Sequence, residues 1–518
     1  MTRSHTWRAF IRSDIGILIL LALAKLVFHV LTNGAHGFHR DELATLDDAR
    51  YLAWGYVAYP PVTPFIGRAA LELFGTSLVG FRFFAALSQC FAIVLAGLIA
   101  RELGGNPSTT LRTTSLRTHA PILAAVAVMI APVSLGSSAL MQYVAFDYLW
   151  WVLIAYLTIR LLKSNDPRWW LGIGAVIGIG IMTKYSMAFY VAGIVAGALL
   201  TPTRRHLKSP WLWGGVALSL LIVLPNVLWQ VQHSFISLEF LGSIHERDIQ
   251  IGRTQGFLFD QIMTTANPFT IPLWIAWLAF YFFTADGKRF RMIGWMAVVP
   301  FALFWLAQGR GYYTGPIYPM LLAAGAVVFE RWLAAMSQWR ARLVAGIAWS
   351  GLLFGGIFVA LIALPIVPIN SALWDMVNSF NGDFRDEIGW EELTQTIAQI
   401  YAALPANEKA RAGIYAGNYG EAGAINLYGG AYGLPRAISG INSYWLRGYP
   451  KPPPETLVVV GVPSSYLPTL FESCTLAGHI TNKYNVLNEE TREHPDIFVC
   501  RGMKRTWEEF WKQFRYFG

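Results

Sequence analysis

Long apolar runs separated by short charged segments dominate the chain as far as residue 366. Most of the runs hold roughly 17–25 residues, the length that crosses the hydrocarbon core of a bilayer. No cleavage site follows the first run, so we interpret it as a retained span and not as a signal peptide. The pattern predicts about eleven membrane-spanning helices. They are expected at about residues 15–31, 79–100, 119–136, 140–162, 169–183, 186–200, 211–231, 268–284, 293–308, 316–334 and 344–366.

The pattern changes after residue 368, where the apolar runs shrink to strand length. Three such runs are AGIYAG, TLVVVGV and DIFVC, and helix-like segments such as Trp390 to Leu404 lie between them. This alternation predicts a small α/β domain over residues 369–518, after a membrane domain over residues 1–368. The stretch GNYGEAG at 417–423 predicts a strand-to-helix turn. That turn is open to two interpretations, a tight glycine turn or a phosphate cradle.

Composition agrees with a membrane protein, since 55% of the residues are hydrophobic and only 14% are charged. Mean hydropathy is +0.42. The net charge of +9 does not indicate a nucleic-acid partner, because most basic residues lie in short loops between apolar runs. Three cysteines with no zinc-type spacing predict no structural zinc site.

The basic loops alternate along the chain and therefore predict the orientation of the spans. They hold Arg3, Arg8, Arg12, Arg101, Arg112, Arg117, Lys163, Arg168, the RRHLK of 204–208, the GKRFR of 287–291, Arg331, Arg340 and Arg342. If these loops are cytoplasmic, the amino terminus is cytoplasmic too. The loops at about 32–78 and 232–267 and the domain after Pro368 then lie outside. The expected location is the bacterial inner membrane, with the carboxy-terminal domain periplasmic or extracellular.

The first external loop carries four acids within a predicted amphipathic helix from Asp41 to Tyr56, which Pro60 and Pro61 should end. Asp41 and Glu42 lie in its first turn, where the helix dipole favours negative charge. Asp48 lies seven residues further, about 10 Å along the axis, too far to share one metal ion with Asp41. Two interpretations stay open: a capped helix on the membrane surface whose acids face water, or a carboxylate that acts as general base.

Several stretches resemble one family. They are RDELATLDDARYLAWGYVAYPPVTP at 40–64, FDYLWWVLIAYLTIRLL at 146–162, RWWLGIGAVIGIGIMTKYS at 168–186, GRGYYTGPIYPMLLAAGAVVFERW at 309–332 and AGNYGEAGAINLYG at 416–429. They are similar, in the same order, to glycosyltransferases of the GT-C fold that use polyprenyl-phosphate sugars. Within that fold they are similar to the bacterial branch related to the dolichyl-phosphate-mannose protein mannosyltransferases and to the lipid A aminoarabinose transferases. The resemblance implies a helical polytopic membrane domain with a carboxy-terminal α/β domain outside the cytoplasm.

The resemblance also implies residue roles. Asp41 matches the family's catalytic base and Glu42 its neighbour in the motif. Asp147 matches an aspartate of the active-site cavity, and Lys184 and Tyr313 match residues near the donor phosphate. The chain departs from the aminoarabinose branch before the double proline, where that branch has an acid-lysine pair and this chain has Ala58 and Tyr59. This departure argues against an aminoarabinose substrate.

Five further positions complete the expected site. Arg310 takes over phosphate neutralisation beside Lys184, and Tyr312 joins Tyr313 near the donor phosphate. Alternatively, Arg310 and the two tyrosines form an interfacial belt. Asp48, Tyr59 and His245, together with Asp147, are assigned to the cavity and the acceptor. Three of these residues have a competing interpretation. Asp147 could cap a helix, Lys184 could be a snorkelling side chain and His245 could lie in a solvated loop.

The implied reaction is inverting transfer of a sugar from a polyprenyl-phosphate donor to a hydroxyl of a glycan, lipid or protein. The partners are therefore that donor, membrane lipid and the acceptor. No cofactor is required, because the leaving group carries a single phosphate; a divalent metal is not indicated. A lipid-sugar flippase or transporter and a non-catalytic lipid-sugar-binding protein are the alternatives. Cys474 and Cys500 both fall in the external domain, near neighbouring strands, which predicts a disulfide.

Overall fold

The computed structural model describes residues 13–104 and 120–518. Among these residues, seven helices are long and apolar enough to cross a membrane, and three bent helix pairs raise the number to as many as ten. The seven are Asp14–Thr32, Leu78–Gly104, Tyr143–Ser164, Pro210–Gln232, Gly287–Leu306, Gly311–Ala334 and Gln338–Ala363. The protein is a multi-pass membrane protein. The predicted basic positions Arg3, Arg8, Arg12, Arg112 and Arg117 lie outside the described residues.

The bent pairs explain part of the difference from the predicted eleven spans. They are Ala120–Met129 with Pro132–Ala139 (59°), Met187–Leu200 with Pro202–Lys208 (101°) and Phe257–Thr265 with Pro268–Phe283 (97°). In each pair a proline opens the second helix, where its missing N–H and fixed φ favour a helix start after a break. The remaining predicted span is the helix Trp169–Ile181. Its 13 residues rise about 20 Å, short of the roughly 30 Å core of a bilayer, so the count of eleven is not confirmed.

The described chain divides into two compact units. The first unit holds residues up to Thr32, residues 82–232 and residues 245–364. Its helices approach each other closely at glycines. A Cβ atom on Gly174 would lie 2.1 Å from the carbonyl oxygen of Gly215 on the helix Pro210–Gln232. Gly174 lies on the helix Trp169–Ile181, and at its contact with the helix Pro210–Gln232 only glycine is tolerated without a shift of the backbone.

The second unit holds residues 33–81, 233–244 and 365–518, and it is built around one five-stranded sheet. The strands are β1 (Ala412–Ala416), β2 (Ala437–Ile438), β3 (Thr456–Val460), β4 (Phe471–His479) and β5 (Asp496–Met503), in the order β2-β1-β3-β5-β4. The first three are parallel and β5 is antiparallel to both of its neighbours. The helices of the unit include Val62–Phe74, Trp374–Phe380, Trp390–Ala402, Tyr419–Tyr428, Asn442–Arg447, Glu489–Glu493 and Trp507–Gln513.

Three predictions for this unit are confirmed. The predicted apolar runs form β1, β3 and β5, and all five side chains of β3 are buried. The GNYGEAG stretch is the turn between β1 and the helix Tyr419–Tyr428. Cys474 and Cys500 lie directly opposite each other on β4 and β5 and form the predicted disulfide. The prediction also placed a strand near Cys474, where β4 lies, but it did not include β2, which is only two residues long.

The helix that carries the four acids is shorter than predicted. This helix, which we call the acidic helix, spans Arg40–Arg50 and not Asp41 to Tyr56. Tyr56 turns back beneath its end, where the phenol donates to the carbonyl of Asp48 and accepts the N–H of Ala53. Pro60 and Pro61 therefore do not end this helix; Pro61 is the N-cap of the next one, Val62–Phe74.

Candidate functional site

The start of the acidic helix is held by a reciprocal cap. His39 is the N-cap, and its backbone N–H donates to Glu42 Oε2 over 2.9 Å. The backbone N–H of Asp41 donates to His39 Nδ1 over 3.2 Å. Glu42 is fully buried and its carboxylate satisfies a backbone donor that the helix itself leaves unpaired. The geometry thus gives Glu42 a structural part, that of fixing where the helix begins.

Asp41 differs from the other three acids of the helix in its exposure. Its side chain is 41% exposed, whereas Glu42 and Asp47 are fully buried and Asp48 is 4% exposed. The phenol of Tyr419 donates a hydrogen bond to Asp41 Oδ1 over 2.8 Å. Asp41 is therefore the one carboxylate of this helix that a substrate hydroxyl can reach from solvent.

Asp47 and Asp48 form a buried ionic cluster with two arginines. Arg447 donates to Asp47 Oδ2 over 2.7 Å and also pairs with Asp48, while Arg436 donates to Asp47 Oδ1 over 3.0 Å. The phenol of Tyr59 donates to Asp48 Oδ2 over 2.6 Å. Burial raises the pKa of Asp48 to about 6, although Arg447 opposes this shift. The structure thus brings the predicted residues Asp48 and Tyr59 together, inside a packed cluster.

Lys184 lies in the turn between Trp169–Ile181 and Met187–Leu200, against three tyrosine rings. Its ammonium is 4.1 Å from the ring centroid of Tyr313, 5.2 Å from that of Tyr143 and 5.9 Å from that of Tyr312. Within the described residues it has no carboxylate within 4.0 Å. Aromatic faces attract a cation without neutralising its charge, so this arrangement suits a cation that binds an anionic ligand.

Arg310, in contrast, is already paired. Its Nε and Nη2 each lie 2.7 Å from the carboxylate of Asp248, whose side chain is 5% exposed. Asp248 was not among the predicted site residues, although it stands three positions after His245. His245 itself is exposed on the helix Ile236–Gln250 and does not lie in a loop.

Asp147 is buried within the helix Tyr143–Ser164 and accepts a 2.9 Å hydrogen bond from Trp151 Nε1, one turn along the same helix. The N-cap of that helix is Gln142, so the interpretation of Asp147 as a helix cap is wrong. Across the described residues no group of three or more His, Cys, Asp or Glu is arranged to hold a metal ion.

Comparisons with known proteins agree with this architecture. A family model for dolichyl-phosphate-mannose-protein mannosyltransferase matches residues 58–229. Over 247 residues the chain is 24% identical to the lipid A galacturonosyltransferase RgtD of Rhizobium johnstonii, a match that covers 47% of this chain and 49% of that protein. The chain thus spans about half the length of this curated relative.

Solved structures match over a larger share of the chain. The ArnT structure from Cupriavidus metallidurans bound to undecaprenyl phosphate has a TM-score of 0.58 and 16% identity, covering 94% of this chain and 98% of that one. The same protein in the apo state has a TM-score of 0.57, 15% identity and coverage of 93% and 98%. This chain is accordingly a multi-pass membrane protein that shares the fold of the ArnT structures, the GT-C fold.

Proposed function

We propose that the chain is an inverting glycosyltransferase that moves a sugar from a polyprenyl-phosphate donor to an acceptor hydroxyl, with Asp41 as general base. The observation that carries this proposal is the selective exposure of Asp41. Proton transfer requires contact between the base and the reacting hydroxyl. Asp41 meets this condition, whereas its three acidic neighbours are committed to a cap or to buried ion pairs.

The proposed reaction forms one bond and breaks another. Asp41 accepts the hydroxyl proton, and the acceptor oxygen bonds to the anomeric carbon of the donor sugar. The bond from that carbon to the phosphate oxygen breaks, and its electron pair leaves with the polyprenyl phosphate. The undecaprenyl phosphate named in the ArnT structure supports a leaving group of this class.

The leaving group gains negative charge, which Lys184 is proposed to neutralise. Its ammonium lies against tyrosine rings, has no carboxylate within 4.0 Å in the described part of the chain, and interacts electrostatically with the more distant Asp147. Arg310 has a smaller part than its formal charge suggests, since Asp248 takes two of its donors. A guanidinium carries five N–H donors, so others serve a phosphate oxygen. The rings of Tyr312 and Tyr313 lie against the ammonium of Lys184. We propose that Asp147 and His245 contribute to binding of the acceptor.

The decisive experiment compares Asp41→Asn with Asp375→Asn. Both replace an acid in the first turn of a helix of the second unit, and residue 375 is exposed. Purified variants are incubated with a panel of polyprenyl-phosphate sugars and acceptors, and released polyprenyl phosphate is measured. Lipid A is one of the acceptors because the relative RgtD is a lipid A galacturonosyltransferase. We expect Asp41→Asn to lose about 10²- to 10⁴-fold in turnover with unchanged donor binding, and the control to stay near wild type.

Wild-type turnover of Asp41→Asn would refute the general-base assignment and favour the capped-helix interpretation. If the wild-type protein binds the donor but releases no polyprenyl phosphate with any acceptor, a non-catalytic lipid-sugar-binding protein is favoured instead.

The orientation is part of the proposal. We place the amino terminus in the cytoplasm and the residues after about 370 outside the inner membrane, since the basic loops alternate. Single cysteines at the exposed positions Ala410 and Lys288 test this, because Cys90 is buried and the other two cysteines form a disulfide. Membrane-impermeant reagent should label Ala410→Cys from outside and Lys288→Cys only after the cytoplasmic side is opened. Labelling of both from one side would contradict the orientation.

A further inference from the structure

The contact between Tyr419 and Asp41 joins residues that are 378 positions apart in the sequence. Tyr419 is the first residue of the helix Tyr419–Tyr428, whose start is held by a second reciprocal cap. In this cap Asn418 accepts the backbone N–H of Glu421, and Glu421 accepts the backbone N–H of Asn418. The position of the Tyr419 backbone is thus fixed by local hydrogen bonds that are independent of Asp41.

The helix that carries Tyr419 packs tightly on the acidic helix. A Cβ atom on Gly423 would lie 2.7 Å from the Cβ atom of Leu43 and 2.8 Å from its carbonyl carbon. The two backbones therefore approach within a distance that only glycine permits without rearrangement. This close approach brings the Tyr419 phenol within hydrogen-bonding distance of Asp41.

The ring of Tyr419 is held from one face as well. The guanidinium of Arg40 lies 4.8 Å from the ring centroid, and Arg40 is anchored by an ion pair with Glu489. Burial, followed by the negative charge of Asp41, raises the pKa of the Tyr419 phenol above its usual range. The phenol therefore stays protonated at neutral pH and serves as a hydrogen-bond donor.

We propose that Tyr419 is a positioning residue that orients the Asp41 carboxylate for proton acceptance, an inference that rests on the proposed function. A hydrogen bond from Tyr419 to Oδ1 restricts rotation of the carboxylate, because a charge-assisted bond is both strong and directional. The carboxy-terminal segment would thereby take part in catalysis through the base.

The test is Tyr419→Phe, which removes the donor and keeps the ring. Tyr428→Phe is the matched control, since it makes the same change at the other end of the same helix. Loss of a hydrogen bond to a charged group corresponds to roughly a 10- to 100-fold lower kcat. We expect Tyr428→Phe to keep the wild-type kcat.

A double-mutant cycle separates action through Asp41 from other effects. If Tyr419 acts only through the carboxylate, Tyr419→Phe causes no further loss in an Asp41→Asn background. An equal fold-loss in both backgrounds would overturn the inference. Wild-type turnover in Tyr419→Phe, with Asp41→Asn inactive, would overturn it while the proposed function stands. Wild-type turnover in Asp41→Asn would instead remove the proposed function itself.

Discussion

Removal of Arg447 tests how the second unit tolerates two adjacent buried acids. The Arg447 side chain is 21% exposed and pairs with both Asp47 and Asp48, which are 0% and 5% exposed. Arg447→Ala leaves two buried carboxylates without their shared partner. Breaking a buried ion pair on one side typically costs about 3–5 kcal/mol, because an uncompensated charge remains in a poorly solvated place.

Arg436→Ala is the matched control, because Arg436 pairs with the same Asp47 but its side chain is 52% exposed. A solvent-exposed partner contributes only about 0–1 kcal/mol. For a unit of this size, each kcal/mol shifts Tm by about 2–4 °C. We therefore expect Arg447→Ala to lower the Tm of the second unit by about 6–20 °C and Arg436→Ala by less than about 4 °C. Unfolding in detergent is followed by tryptophan fluorescence at one scan rate.

The effect of Arg447→Ala should depend on pH in a defined direction. Burial already raises the pKa of Asp48 to about 6, and Arg447 opposes that shift, so the variant raises it further. A carboxyl group whose folded pKa is raised stabilises the fold at low pH, and this contribution is lost as pH rises through the folded pKa. The deficit of the variant is therefore larger at pH 8 than at pH 5. Equal Tm values for the variant and the wild type at pH 8 would refute this account of the cluster.

Three further predictions follow from other parts of the structure. Lys184→Ala should lower turnover by about 10²- to 10³-fold, on the scale of a lost oxyanion donor, with folded yield unchanged. The control Lys163→Ala should turn over normally in the same assay. Full activity of Lys184→Ala would leave Lys184 as a snorkelling residue. Burial raises the pKa of Glu421 to about 8, so the stability of the wild type should fall as pH rises towards 8. Glu421→Gln keeps a capping acceptor and should show a smaller fall in Tm between pH 5 and pH 9. Parallel curves of Tm against pH for the two proteins would contradict this. Replacing Cys474 and Cys500 by alanine opens a loop with a sequence separation of 26. The change should destabilise the second unit by about 3–4 kcal/mol, measured by denaturant unfolding. An unchanged unfolding midpoint would exclude the disulfide as a stabilising constraint.

The sequence led to several residues of the candidate site but to few of their contacts. Asp41, Lys184 and Tyr313 were selected from motifs, and each motif is local. Tyr419 and Arg447 were missed because their carboxylate partners stand 378 and about 400 positions away, so no spacing rule connects them. Asp248 did not stand out from its neighbour Glu246 in the sequence, and only its pairing with Arg310 distinguishes it.

The sequence by itself determined which segments are apolar enough to span a membrane, where β1, β3 and β5 lie, and that Asp41 and Glu42 stand in the first turn of a helix. These properties depend on hydropathy, periodicity and neighbouring side chains within a few residues. Only the tertiary structure decided that the acidic helix ends at Arg50, that Asp41 is the exposed acid and that Lys184 lies against tyrosine rings. The physical reason is that burial and charge pairing depend on residues distant in the chain, and these determine which of four similar carboxylates remains accessible to a substrate.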